Sequence, residues 1–237
     1  MQTRLLAIET SSRWGSAAAG IDGEVAAATE LPAERRETDA LPARIDEMLK
    51  QLGWRATDLR HLYVSIGPGS FTGLRVAVAV GRALALAQPM QIVAVPTTEV
   101  LADNARALDD PPADLAVILD AKRGQVFAGT FRRQDRAGAI TYDAVEPAHL
   151  ADPAELLRGA PRPLAVLGEG CRYHRDVLAG ADGVSIVDPR HWRPRAEAVL
   201  RLGWRMARQG RFTAARDLVP LYIRRPEAEE KWRQLHG

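Results

Sequence analysis

Through the first hundred positions the apolar residues fall into short runs separated by polar, turn-forming segments. Leu5-Leu6-Ala7-Ile8 predicts a buried strand, and Glu9 through Gly15 a polar connection. Ser16 to Ile21 predicts a second strand and Val25 to Leu31 a third, with Asp22-Gly23 as the hairpin turn between them. The spacing then changes. Leu41, Ile45, Met48 and Leu49 form the apolar stripe of a helix from about Thr38 to Leu52, which Thr38 or Asp39 can cap and Gly53 can end. Leu59 to Ile66 predicts a strand closed by Gly67-Pro68-Gly69. A helix from Ser70 to Ala87 comes next, with Pro89 just beyond it, and Gln91 to Val95 reads as another strand.

The second half opens in the same way. Leu115 to Leu119 predicts an apolar strand ending in Asp120, then a turn at Ala121 to Gly124 and a strand from Val126 to Phe131. Strand, acid, turn, strand occurs in both halves, which points to a duplicated α/β unit. Asp109-Asp110-Pro111-Pro112 breaks regular structure, so the seam falls within Ala105 to Ala113 and the expected domains are 1–105 and 106–237. Leu164 to Leu167 is a further strand ending at Gly168-Glu169-Gly170. Arg195 to Gln209 is helical, with Leu200, Trp204 and Ala207 among its apolar positions, and the chain ends in a polar stretch.

A chain of 237 residues can bury the cores of two small domains. The formal net charge of +2 is too small to draw nucleic acid by bulk attraction, and all but three of the cations are arginines. Cys171 is the sole cysteine, so there is no internal disulfide and no cysteine cluster for zinc. The five histidines, His61, His149, His174, His191 and His236, show no metal-ligand spacing. Val76 to Met90 is the most apolar stretch. Arg82 interrupts it, and it is shorter than the ~20 residues of a membrane span. With no signal-peptide layout at its start, the chain is expected to be cytoplasmic, without membrane attachment.

Gly67 to Arg75 (GPGSFTGLR) is the most specific segment. Lying between a strand and a helix, it can offer backbone N–H groups to an anion, with Ser70 as helix cap. It lacks the Gly-Lys-Ser/Thr ending of a phosphate-binding P-loop, and a tight turn packing helix on sheet accounts for it equally well. In the helix after it, Gly73, Ala77, Gly81 and Ala85 recur every four residues and share one face. Small residues there permit close approach by another helix or by the chain's own sheet, and the pattern does not distinguish the two.

GPGSFTGLR resembles a signature of the TsaB (YeaZ) family. LLAIETSS at the start, DAKRGQVFAG at 120–129 and PLYIRRPEAEEKW at 220–232 are similar to other parts of it, so the resemblance spans residues 5 to 232. The family more often has Asp where this chain has Glu9, and often a His ahead of the first long helix, where this chain has the run around Arg36. The resemblance implies an actin/Hsp70/sugar-kinase-like fold of two related α/β domains. It also implies a non-catalytic subunit that binds and activates TsaD, the threonylcarbamoyltransferase acting on adenosine 37 of tRNA, with the ATPase TsaE engaging the pair. TsaD holds its metal through a His-x-x-x-His pair. Thr97 and Leu101 stand at those positions here, and neither replaces imidazole. No cofactor and no metal are expected. The expected partner interface is Leu41, Ile45, Met48, Gly73, Ala77 and Gly81, which would also serve a homodimer when the chain is alone. Gly81→Leu is expected to block pairing and leave the fold intact. Residual nucleotide or anion contact would fall to Glu9, Gly67, Gly69, Ser70 and Asp120, and tRNA would be met through the complex. An active ATPase or kinase of the same fold is the alternative function. An RNA-binding module using Arg132-Arg133 and Arg224-Arg225 is a second.

Overall fold

The computed structural model describes residues 2–31, 40–136 and 138–224. The opening run becomes β1 (Arg4–Glu9), the central strand of a five-stranded sheet. It pairs antiparallel with β2 (Gly15–Ile21) and parallel with β4 (His61–Gly67). β3 (Glu24–Leu31) and β5 (Gln91–Pro96) are the edges, giving the order β3-β2-β1-β4-β5. Leu5 to Ile8 are fully buried because the sheet is covered on both faces. Alternate side chains enter different cores: Leu6 and Ile8 pack among residues of α1 (Leu41–Gln51) and α2 (Phe71–Ala87), and Leu5 and Ala7 among residues of α6 (Ala196–Arg208).

The second unit repeats this. β6 (Asp114–Asp120) is central, antiparallel to β7 (Val126–Arg136) and parallel to β9 (Leu164–Leu167). β8 (Ala139–Ala151) and β10 (Val184–Ile186) complete the order β8-β7-β6-β9-β10, which matches the first sheet strand for strand. Leu115 and Val117 enter one core and Ala116 and Ile118 the other, the same alternation as in β1. The duplication visible in two strands therefore extends to five. α3 (Thr97–Asn104) joins the units: Val100 packs with the first sheet's core, Leu101 and Ala102 with the second's. The short helices α4 (Pro153–Gly159) and α5 (Arg175–Ala179) flank the second sheet. No helix among the described residues is long and apolar enough to cross a membrane.

The first helix is described from Leu41, and its expected start and cap at Thr38 or Asp39, with the run around Arg36, lie outside the described residues. One expectation needs correction: the expected second domain, 106–237, does not hold its C-terminal part. α6 returns to the first sheet, where the Ala196 N–H donates to Ser16 Oγ at 3.0 Å. Thr213 then donates to the Ile92 carbonyl at 2.8 Å, Leu221 donates to that of Ile66 at 2.8 Å, and Leu218 is buried in the α1/α2 core. The sequence pattern of α6 marks an amphipathic helix but not which sheet it covers.

Candidate functional site

At the end of β1 the chain turns through Glu9, Thr10 and Ser11, all buried. Glu9 Oε1 accepts the Ser11 N–H. Oε2 and the Ser11 hydroxyl have no hydrogen-bond partner among the described residues. Burial pushes the Glu9 carboxyl above its ordinary value, and the Ser11 N–H that it accepts tempers the rise. The glycine-rich loop closes over this turn. Ser70 N–H donates to the Ser11 carbonyl at 2.6 Å, and Thr10 Oγ1 donates to the Gly73 carbonyl at 2.7 Å. A Cβ on Gly69 would lie 2.2 Å from the Ser11 carbonyl oxygen, and one on Gly73 would lie 1.9 Å from that of Thr10. These two glycines let the start of α2 press directly on the β1 turn. Ser70 is the helix cap, accepting from Gly73 N–H at 3.3 Å. The Ser70 N–H that an anion would need is thus committed to the Ser11 carbonyl and the Gly73 N–H to the cap, which favours the turn reading of this loop over the phosphate reading.

Asp120 ends β6 as Glu9 ends β1. It accepts the Lys122 N–H at 2.9 Å and the Lys122 ammonium at 2.6 Å. Partial burial works to raise its pKa, but the Lys122 bonds outweigh this and hold it below the usual carboxylate range. Glu9 and Asp120 share no hydrogen-bond partner among the described residues. Thr97 and Leu101 are buried on α3, with Thr97 Oγ1 hydrogen-bonded to Ser65 Oγ at 2.9 Å. Among the described residues no three His, Cys, Asp or Glu stand together as metal ligands.

The expected partner interface is corrected outright. Leu41, Ile45, Met48, Gly73, Ala77 and Gly81 are all buried within the first unit, where Leu41, Ile45, Met48 and Ala77 belong to its core. The small-residue stripe of α2 therefore serves the chain's own sheet. A Cβ on Gly81 would meet Leu218 at 3.1 Å and Leu62 and Val64 at 3.3 Å, so Gly81→Leu would overpack the core instead of probing a surface. The face α2 turns outward is its other stripe: Thr72, Arg75, Ala79, Ala83 and Leu86 are exposed, and Val76 and Arg82 are half-buried between them. Leu86 is 86% exposed. The spacing of this second stripe is legible in the sequence, and Arg75 and Arg82 on it are the signal that could have marked it as the outward one. The outward face of α1 differs, carrying the ion pairs Asp46–Lys50 at 2.7 Å and Arg44–Glu47 at 3.2 Å.

The arginine doublets are engaged elsewhere. Arg132 pairs with Asp114 at 3.0 Å, Arg133 bonds the Pro111 carbonyl, and Arg224 bonds the Ala121 carbonyl and Gln125. Arg225 lies outside the described residues.

Two sheets of matching order, joined through α3, define a two-domain α/β protein of the actin/Hsp70/sugar-kinase type whose glycine-rich loop is packed against its own first turn. A profile of the TsaD family, described as tRNA N6-adenosine threonylcarbamoyltransferase, matches residues 31–232. The tRNA threonylcarbamoyladenosine biosynthesis protein TsaB of Bacillus subtilis is 32% identical, over 96% of this chain and 97% of its own. TsaB of Escherichia coli is 29% identical, over 99% of each. The structure of YeaZ from Pseudomonas aeruginosa shares the fold with a TM-score of 0.77, covering 93% of this chain and 99% of YeaZ at 22% identity. The chain belongs to the TsaB (YeaZ) family, within the wider TsaD grouping.

Proposed function

We propose that this protein is the supporting subunit in synthesis of N6-threonylcarbamoyladenosine in tRNA, binding and activating the catalytic paralogue TsaD and leaving the chemistry to it. The observation that carries this reading is the outward stripe of α2. It runs from Thr72 through Ala79 and Ala83 to Leu86, is interrupted by Arg75 and Arg82, which bond Tyr222 Oη and the Arg216 carbonyl, and its apolar C-terminal half is left exposed among the described residues. A contiguous apolar surface of this kind marks an association site. The names carried by the relatives support the pathway, and the burial of Thr97 and Leu101 at the positions of TsaD's metal-binding histidines supports a non-catalytic role. In this reading TsaE engages the pair in the cytoplasm, tRNA is met in the complex, and the lone chain pairs with itself through α2.

The test is size-exclusion chromatography with light scattering on the protein mixed with its cognate TsaD. A one-to-one complex is expected. Ala83→Arg, folded by circular dichroism, is expected to weaken it about a hundredfold, near 2.7 kcal/mol. If Ala83→Arg and Leu86→Arg both bind as the wild type does, the surface is wrong. If the wild type forms no complex and the lone chain hydrolyses ATP, the enzyme alternative replaces the scaffold reading.

A further inference from the structure

The net charge of +2 conceals an uneven distribution. A cleft of about 360 Å³ opens between the β1–β2 turn, the end of β6 and the segment leading into α6. Arg13, Arg172, Arg190, Arg193 and Arg195 line it, with Glu169 as its one carboxylate. Arg193 is paired with Glu30 at 2.9 Å and Arg190 lies 4.0 Å from Asp188. Arg13, Arg172 and Arg195 are exposed and have no carboxylate partner among the described residues. The sequence shows these arginines as separate positions on three distant stretches; only the fold gathers them.

Two features select the ligand. The first is extent. Arg172 and Trp192 also line a neighbouring cavity of about 330 Å³, and Arg190 and Arg195 also line one of about 600 Å³ whose carboxylate, Asp103, is paired with Arg106 and Arg201, so these arginines border a track of three adjoining cavities with more room than a single anion fills. The second is the state of the aromatic rings. The Arg13 guanidinium lies 3.9 Å from the Trp14 ring centroid and that of Arg193 lies 5.3 Å from it. Trp192 donates its indole N–H to the Val187 carbonyl at 2.8 Å. Trp14 thus holds arginine side chains in place and does not offer a free face to a base. Such stacking preorganises guanidinium groups for phosphate.

We propose that this track binds RNA through the sugar-phosphate backbone, and that its occupant is the tRNA being modified. The choice of tRNA among polyanions rests on the proposed function; the charge distribution does not. Backbone contacts without base contacts give binding that is strongly salt-dependent and indifferent to sequence.

The experiment is fluorescence anisotropy with an unmodified tRNA transcript over a series of KCl concentrations, on the lone chain and on its complex with TsaD. The triple variant Arg13→Glu, Arg172→Glu, Arg195→Glu is expected to lose at least about tenfold in affinity, with the log–log salt slope reduced by about 2 to 3. Arg208→Glu is the control. It reverses an exposed arginine at the far end of the 13-residue α6, roughly 20 Å from Arg195 at ~1.5 Å per residue, and is expected to bind as the wild type does. Should the triple variant fold poorly, Arg172→Gln and Arg195→Gln are each expected to reduce the slope by about 0.7 to 0.9. Wild-type binding by the triple variant, or an equal loss in Arg208→Glu, overturns the proposal. So does displacement of the tRNA by millimolar ATP, which would make the cleft a mononucleotide pocket. Chromatography of the same variants with TsaD separates the two readings: loss of tRNA with pairing intact supports this site, and failure of the wild type to pair while salt-sensitive tRNA binding persists overturns only the scaffold reading.

Discussion

β1 and β6 end alike, yet the two turns they lead into behave in opposite ways. Each strand finishes in an acid that accepts the N–H two residues on: Glu9 from Ser11, Asp120 from Lys122. Each neighbouring parallel strand, β4 or β9, ends in a Gly-x-Gly turn. The difference lies in the helix beyond that turn. In the first unit the turn leads into α2, whose start sits on the Glu9 turn and shuts out solvent and any cation. In the second it leads into a four-residue 3-10 turn and then the short α5, so the Asp120 turn stays open enough for Lys122 to reach it. One backbone plan thus yields a buried acid with a raised pKa and a paired acid with a lowered one. The long helix is the cause. It seals the first turn with its buried stripe and turns its other stripe outward.

The most forceful way to break this contrast is Gly73→Ala. The added Cβ would sit 1.9 Å from a backbone oxygen, which cannot move without shifting the β1 turn. A loss of about 3 kcal/mol or more is expected, or roughly 6–12 °C in Tm for a chain of this size. Gly124→Ala, in the second turn, meets open space and carries only the strain of φ +75°, so about 1 kcal/mol is expected. Thermal denaturation of both variants is the check. Equal losses would mean that α2 does not press on the β1 turn.

Glu9→Gln sharpens the contrast through pH. Burial raises the folded-state pKa of Glu9 above 4.5, so its carboxyl favours folding when protonated. That contribution is complete below pH 4.5 and is lost as pH rises through the folded value. Glutamine keeps an acceptor for the Ser11 N–H and carries no charge. The variant is therefore expected to match the wild type near pH 4 and to exceed it at pH 8 by about 2 kcal/mol, or roughly 4–8 °C in Tm. Urea titrations at the two pH values give the difference. A variant less stable than the wild type by the same amount at both would show that the acid serves as an uncharged hydrogen-bond partner with no burial penalty.

How far the sequence reveals this depends on what each feature needs. The central strands were legible because burial on both faces makes Leu5 to Ile8 and Leu115 to Leu119 unbroken apolar runs. The glycine-rich loop was legible as a strand-to-helix connection with Ser70 as cap, but its sequence left a tight turn and an anion cradle equally open, because the two differ in where the backbone N–H groups are spent. β8 was not, because it is an exposed edge whose polar residues and Pro147 sit beside register shifts in its pairing with β7. The 106–237 boundary failed because an amphipathic helix such as α6 records that it has an inner face without recording whose core receives it. The interface assignment failed for a related reason: the apolar stripe of α1 and the small-residue stripe of α2 each record an inner face without recording whether the chain's own sheet or a partner receives it. The arginine track was invisible because its members are far apart in sequence.

The smallest effect belongs to Asp120→Asn, and it has the opposite sign to Glu9→Gln. Lys122 and the backbone N–H hold Asp120 below its ordinary 3.8, so its charge favours folding above that pH, and the contribution is lost as pH falls through the folded value. At pH 7 the variant is expected to be less stable by about 0.5–1 kcal/mol, the range of a solvent-accessible ion pair, with part of the loss removed by high salt. As pH falls through the folded value and the wild-type carboxyl takes up its proton, the two should converge. Convergence on acidification in Asp120→Asn, set against divergence on alkalinisation in Glu9→Gln, would establish that two turns of one backbone plan titrate in opposite senses. If Asp120→Asn were instead to stabilise the protein at pH 7, Lys122 would not be compensating the acid, and the second turn would resemble the first more closely than its exposure indicates.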